Sequence, residues 1–138
     1  MERALIRKEM KVRDVPGEWN KRFKEYLGIE VKQDSDGCLQ DVHWSAGLFG
    51  YFPSYALGNL YAAQFFAAAR AELPDMDKQF AGGDFSGLLN WLRKNIHSQG
   101  RRYTAGELCE KVTGKPLSHQ PLIDYLYGKY RSIYGIAR

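Results

Sequence analysis

The sequence predicts an all-α protein of about six helices built around a long buried central one. Three observations predict it. Apolar residues recur three, four and seven positions apart in segment after segment, no stretch alternates β-branched and polar residues as a half-buried strand would, and glycines and a capping pair punctuate the periodic runs. With 138 residues, 44% hydrophobic and 26% charged, the chain has the composition of one globular domain, and we read residues 1–138 as a single region.

The elements follow in order. Residues 2–10 read as a short helix. "PGEWNKRFKEYLG" (16–28) reads as a second one, with Trp19, Phe23, Tyr26 and Leu27 on one face and Gly28 as its stop. From Ile29 to Phe52 the helical period is lost and Gly37, Gly47 and Gly50 collect, so this is an extended, functional loop with room for a short helix after Asp41. The longest element is "PSYALGNLYAAQFFAAARAEL" (53–73), where Pro53 suits a first turn and little but Asn59, Gln64 and Arg70 interrupts the small, apolar or aromatic residues. Pro74 and "AGGD" (81–84) bracket a short helix, and spacing resumes through Phe85, Leu88, Leu89, Leu92 and Ile96. Thr104 with Glu107 three residues on is a capping-box arrangement, closed by Gly114. The last helix spans 119–135, with Ser118 as cap and Pro121 in the first turn.

Several function classes are excluded or disfavoured. No run approaches the roughly 20 apolar residues that cross a bilayer, and "MERALIRKEMK" lacks a signal-peptide core, so no membrane role and a cytoplasmic location are expected. Cys38 and Cys109 have no CxxC spacing, which argues against a disulfide framework or a cysteine zinc site. The formal charge of +4 is uneven: residues 31–92 carry three Lys/Arg against seven Asp/Glu, while "RKNIHSQGRR" (93–102) has four basic residues and no acid. So small a patch is an ordinary solvated face more often than a nucleic-acid surface, and no nucleic-acid partner is expected.

Chemistry is harder to place. His43, His97 and His119 lie 54 and 22 residues apart, so no HExxH helix is present and no metal site is expected in this chain. No GxSxG elbow, no Cys beside a His and no phosphate-binding glycine loop occurs. What remains is a set of hydrogen-bonding groups around "GCLQDVHWSAGLFGYFPSYALGN" (37–59). His43 follows Asp41 by two residues, and Tyr51 and Tyr55, four apart at the mouth of the long helix, can share a side. Such donors stabilise a developing oxyanion without binding a metal. The plainer alternative is that they are satisfied core residues.

These motifs resemble a known family, the M32 zinc metallocarboxypeptidases of the Taq type. "GCLQDVHW" (37–44) matches the family's GxxQDxHW motif in full, "GYFPSYALGNLYAAQFF" (50–66) is similar to the segment after it, and "GRRYTAGELCEKVTGKPL" (100–117) and "IDYLYGKYRSIYG" (123–135) resemble its C-terminal helices. The resemblance covers essentially the whole chain. It implies the C-terminal part of a larger helical metallopeptidase fold whose HExxH helix, third Glu ligand, HPF and DxRxT motifs lie N-terminal to this region, with the IRxxAD motif ending about at Glu2.

By motif position the resemblance makes His43 the imidazole and Tyr51 or Tyr55 the phenol that hydrogen-bond substrate and tetrahedral intermediate. Gln40, Asp41 and Trp44 become orienting or peptide-contacting residues. For the complete enzyme it implies zinc, or cobalt, and release of single C-terminal amino acids from peptides; without the metal ligands this chain is expected to be inactive alone. Two other readings stand beside it: a non-catalytic helical module that binds a peptide or protein, and a basic nucleic-acid binder carried by 93–102. The long helix is apolar on more faces than its short neighbours can cover, so self-association or contact with the missing N-terminal part is expected.

Overall fold

A computed structural model of the chain describes residues 1–136. It holds two compact units, Met1–Ser54 and Tyr55–Arg138. Among the described residues there are seven α-helices and no strand, as the periodicity requires.

The first unit opens with α1 (Glu2–Ile6), much shorter than the helix expected over 2–10. The chain leaves the helix because Lys8 adopts φ +61°. The Lys8 N–H then donates to the Leu5 carbonyl at 3.0 Å and the Glu9 N–H to the Ala4 carbonyl at 2.9 Å, the paired bonds of a Schellman ending in which lysine takes the place usual for glycine. A 3₁₀ turn, Val12–Asp14, leads into α2 (Val15–Leu27), which stops at Gly28 with φ +69°. The stop falls where the sequence put it. Trp19 and Phe23, one turn apart on α2, stack with centroids 5.8 Å apart.

Two further 3₁₀ turns, Asp34–Asp36 and Cys38–Gln40, pack on each other, and the second packs back on α2. Gly37 between them is buried, and a Cβ there would stand 2.6 Å from Val31 Cγ1 and 3.3 Å from Asn20 Oδ1. Only glycine allows that approach. Together with buried Val15 and Cys38 it forms the small core from which the 41–52 segment departs.

The second unit is built on α3 (Pro53–Glu72), followed by α4 (Met76–Ala81), α5 (Ser86–Asn95), α6 (Ala105–Thr113) and α7 (Gln120–Tyr134). The capping box forms as expected: the Thr104 hydroxyl accepts from Glu107 N–H, and the Glu107 carboxylate accepts from Thr104 N–H at 2.8 Å. The N-cap of α7 is His119, without a side-chain cap bond, and not Ser118 as expected; Ser118 Oγ, just before it, accepts from Gln120 N–H. Ala69, Met76, Trp91 and Cys109 are buried.

Expected as a buried central helix, α3 has the predicted length but buries only Gln64 and Ala69. Four short helices do not present enough surface to enclose twenty residues that are apolar nearly all round, and Tyr55 and Leu57 stay about half exposed. No described helix is long and apolar enough to cross a membrane.

Gln64 ties this unit together. Its amide donates to Thr113 Oγ1 at 3.0 Å, to the Lys115 carbonyl at 3.3 Å and to the Pro116 carbonyl at 3.1 Å, while its Oε1 accepts the Ser118 N–H at 2.8 Å. One buried side chain therefore anchors the whole α6–α7 connection. Gln64→Leu keeps the volume and orphans these partners, so it is expected to destabilise the chain by about 1–3 kcal/mol, read from the midpoint of urea unfolding.

Candidate functional site

The site begins with a short polar side chain at the start of a turn. Asp41 Oδ1 accepts the backbone N–H of His43 at 2.8 Å, the local Asx arrangement that starts a helical turn. The turn runs on through Ala46, whose N–H donates to the His43 carbonyl at 3.1 Å. Gly47, at φ +71°, then ends it, with Gly47 N–H bonded to the Trp44 carbonyl at 3.0 Å and Leu48 N–H to the His43 carbonyl at 2.8 Å. The short helix expected after Asp41 is thus a single turn, closed by its glycine before a second can form.

The same Asp41 oxygen lies 2.7 Å from His43 Nδ1. Both side chains are largely buried, 16% exposed for His43 and 13% for Asp41. The carboxyl of Asp41 is held below the usual carboxylate range, first by the backbone hydrogen bond from His43 and then by the ring, against the opposing effect of burial. With Nδ1–H pointed at a carboxylate, the neutral imidazole offers Nε2 as an acceptor; a second proton turns Nε2 into a donor whose charge Asp41 balances. The pair therefore holds the imidazole by its Nδ1 side.

A carboxyl whose folded value is depressed adds stability that is complete above its unfolded-chain value, about 3.9, and lost as pH falls through the folded value. Acidification below about pH 4 is accordingly expected to destabilise the wild-type chain more than Asp41→Asn, measured as unfolding midpoints across pH.

Aromatic rings flank the imidazole. Phe52 meets His43 edge-on with centroids 5.2 Å apart, and Tyr51 lies tilted at 5.8 Å. Trp44 stacks on Phe49 at 5.8 Å and 3°, and its indole N–H donates to Glu2 at 2.9 Å. Of the residues singled out in the sequence, Asp41, His43, Trp44 and Tyr51 come together here. Gln40 turns away, its amide bonded to the Ser35 carbonyl. Tyr55 sits on α3 in the second unit, 54% exposed. Phe52 and Glu2 were missed, because a search for donors passes over a phenylalanine, and nothing local marks a glutamate that reaches a tryptophan 42 residues on.

The second unit has an open apolar groove of about 860 Å³ between α3, α4 and α7, lined by Phe66, Phe80, Leu122 and Tyr125 among others, with Arg70 paired to Asp77 at its edge. None of the residues singled out above lines it.

A family model described as Carboxypeptidase Taq (M32) metallopeptidase matches residues 1–130. The chain belongs to the M32 family. It is 47% identical over 135 residues to Thermostable carboxypeptidase 1 of Thermus thermophilus, a match covering 98% of this chain and 26% of that protein. It is 42% identical over 134 residues to Carboxypeptidase 1 of Bacillus subtilis, covering 97% and 27%. The crystal structure of the M32 carboxypeptidase from Deinococcus radiodurans matches with a TM-score of 0.92 and 44% identity over 98% of this chain and 27% of that one. The chain spans about a quarter of the length of these M32 relatives.

M32 proteins are metallopeptidases, and a metal centre needs several grouped donors. Among the described residues no group of three or more His, Cys, Asp or Glu side chains is placed to hold a metal ion. The donor set of the described residues does not fit a metal centre.

Proposed function

We propose that this chain supplies the substrate side of a metallocarboxypeptidase that releases single C-terminal amino acids from peptides, with the metal held by residues outside this chain. The Asp41–His43 pair carries the reading. Nδ1 lies 2.7 Å from a carboxylate that orients the ring, and in this reading the contact with a peptide falls to Nε2. Protonated, it donates to the oxygen of a scissile carbonyl as negative charge develops there. Tyr51, against the imidazole, or Tyr55, at the head of α3, adds a phenolic donor, and Trp44 shapes the wall. Asp41 keeps the ring oriented.

The partner proposed for the uncovered α3 is the complementary part of an M32 chain. Support comes from an apolar twenty-residue helix with two buried residues in a chain a quarter as long as its relatives. The groove beside α3 favours one second reading, a helical module that binds a peptide or protein without catalysis; self-association is its simplest form.

The deciding experiment mixes the purified chain with the complementary part of an M32 chain and zinc, and follows amino-acid release from a blocked dipeptide. Turnover that needs both pieces is expected. Equal turnover by the complement alone would sink the catalytic role, and metal-free capture of peptides by this chain with no gain in turnover would favour the binding module.

A further inference from the structure

Glu2 is partly buried at the start of α1, and its two carboxylate oxygens are divided between two distant points of the same loop. Oε1 accepts the Trp44 indole N–H at 2.9 Å, and Oε2 accepts the Gly50 backbone N–H at 3.0 Å. Trp44 follows His43 in the chain, and Gly50 precedes Tyr51. One carboxylate thus grips the loop immediately beside the imidazole on one limb and immediately beside the tyrosine on the other. Gly50 has φ +76°, a conformation open to glycine but not fixed by it, so the limb carrying Tyr51 and Phe52 needs an outside hold. The stacking of Trp44 on Phe49 joins the same two limbs from the apolar side.

We propose that Glu2 is a positioning residue for His43: by clamping Trp44 and Gly50 together it sets the register in which Phe52 and Tyr51 pack on the imidazole at 5.2 and 5.8 Å. This rests on the reading that His43 acts on a peptide carbonyl, but its geometric content is testable apart from it. A carboxylate suits the task because both oxygens accept and charge-assisted bonds are the stronger kind. Glutamine keeps one acceptor and substitutes a donor that meets a second N–H, while alanine keeps neither.

The test is NMR on the isotopically labelled 138-residue chain, wild type, Glu2→Gln and Glu2→Ala. It follows the Trp44 indole N–H, the Gly50 amide and the His43 ring protons, whose shifts report the rings of Tyr51 and Phe52. Both N–H signals are expected to move, with Gly50 exchange faster by about tenfold in Glu2→Ala, and the His43 ring signals to drift toward their unstructured positions, further for alanine than for glutamine. N–H signals that stay put would remove the clamp. N–H signals that move while the His43 ring and its cross-peaks to Phe52 do not would remove the positioning role. Should Glu2→Ala not fold, Glu2→Gln decides alone, since its one lost acceptor must still shift the ring. A blocked dipeptide titrated into the wild-type chain is the separate arm: no peptide-dependent change at His43 would count against the proposed function, whatever the clamp does.

Discussion

Given zinc or cobalt and a blocked dipeptide, the 138-residue chain by itself is expected to bind no stoichiometric metal and to release no C-terminal amino acid. A catalytic zinc takes three protein ligands and keeps a fourth position for water. Here the three histidines are His43 in the first unit and His97 and His119 in the second, and no described trio of His, Cys, Asp or Glu is grouped for an ion. The Asp41–His43 pair is already engaged with itself, Asp41 being bonded to His43 through the backbone and the ring. Losing a single oxyanion donor slows an enzyme by about 100- to 1,000-fold; losing the metal-ligand set removes the means of activating water altogether. The loss should therefore be complete to the detection limit. Metal analysis of the dialysed protein beside the turnover assay checks it. Stoichiometric metal with turnover would show that the histidines and acids assemble into a site, and the proposed division of labour would fall.

The sequence was most legible where structure is decided within a few residues. Thr104 with Glu107 three residues later forms both capping bonds, and Gly28, Gly114 and Gly135 all take the left-handed conformation that ends a helix. The 53–73 helix runs 53–72. Asp41 and His43 are equally local, two residues apart, and their pairing follows from the reach of an aspartate side chain. Lys8 was not legible, because a lysine at φ +61° contradicts residue preference, and the helix ends four residues early. Nor were the long-range ties. Gln64, which looks like a lone polar interruption of an apolar helix, is buried because its partners come from 113–118, some fifty residues downstream. Glu2 meets Trp44 and Gly50 across similar distances. Periodicity records which faces are apolar, not which distant chain arrives to satisfy a polar atom, and α3, apolar nearly all round, buries only Gln64 and Ala69.

In the enzyme reassembled from this chain and its complement, His43→Ala is expected to lower kcat by about 100- to 1,000-fold with little change in KM. The split between the two constants is what discriminates. A donor that acts on charge developing in the transition state contributes little to the bound substrate, so its loss falls on kcat; a residue that merely held the peptide would raise KM and leave kcat alone. His43 is 16% exposed and paired to Asp41, so removing its ring also relieves Asp41 of its partner, and the unfolding midpoint of the variant must be measured alongside. Asp41→Asn provides the control: it keeps a side-chain oxygen for the His43 N–H and ring but not the carboxylate beside the imidazole, so it should lower kcat by less than His43→Ala. Tyr51→Phe and Tyr55→Phe separate the two phenols, since each removes one hydroxyl and little else. Whichever tyrosine is the second donor should cost kcat on the scale of His43→Ala, and the other should be near neutral. If Tyr51 proves neutral while Phe52→Ala lowers kcat, the first-unit aromatics serve to hold the imidazole rather than to touch the peptide, and the phenolic donor comes from α3.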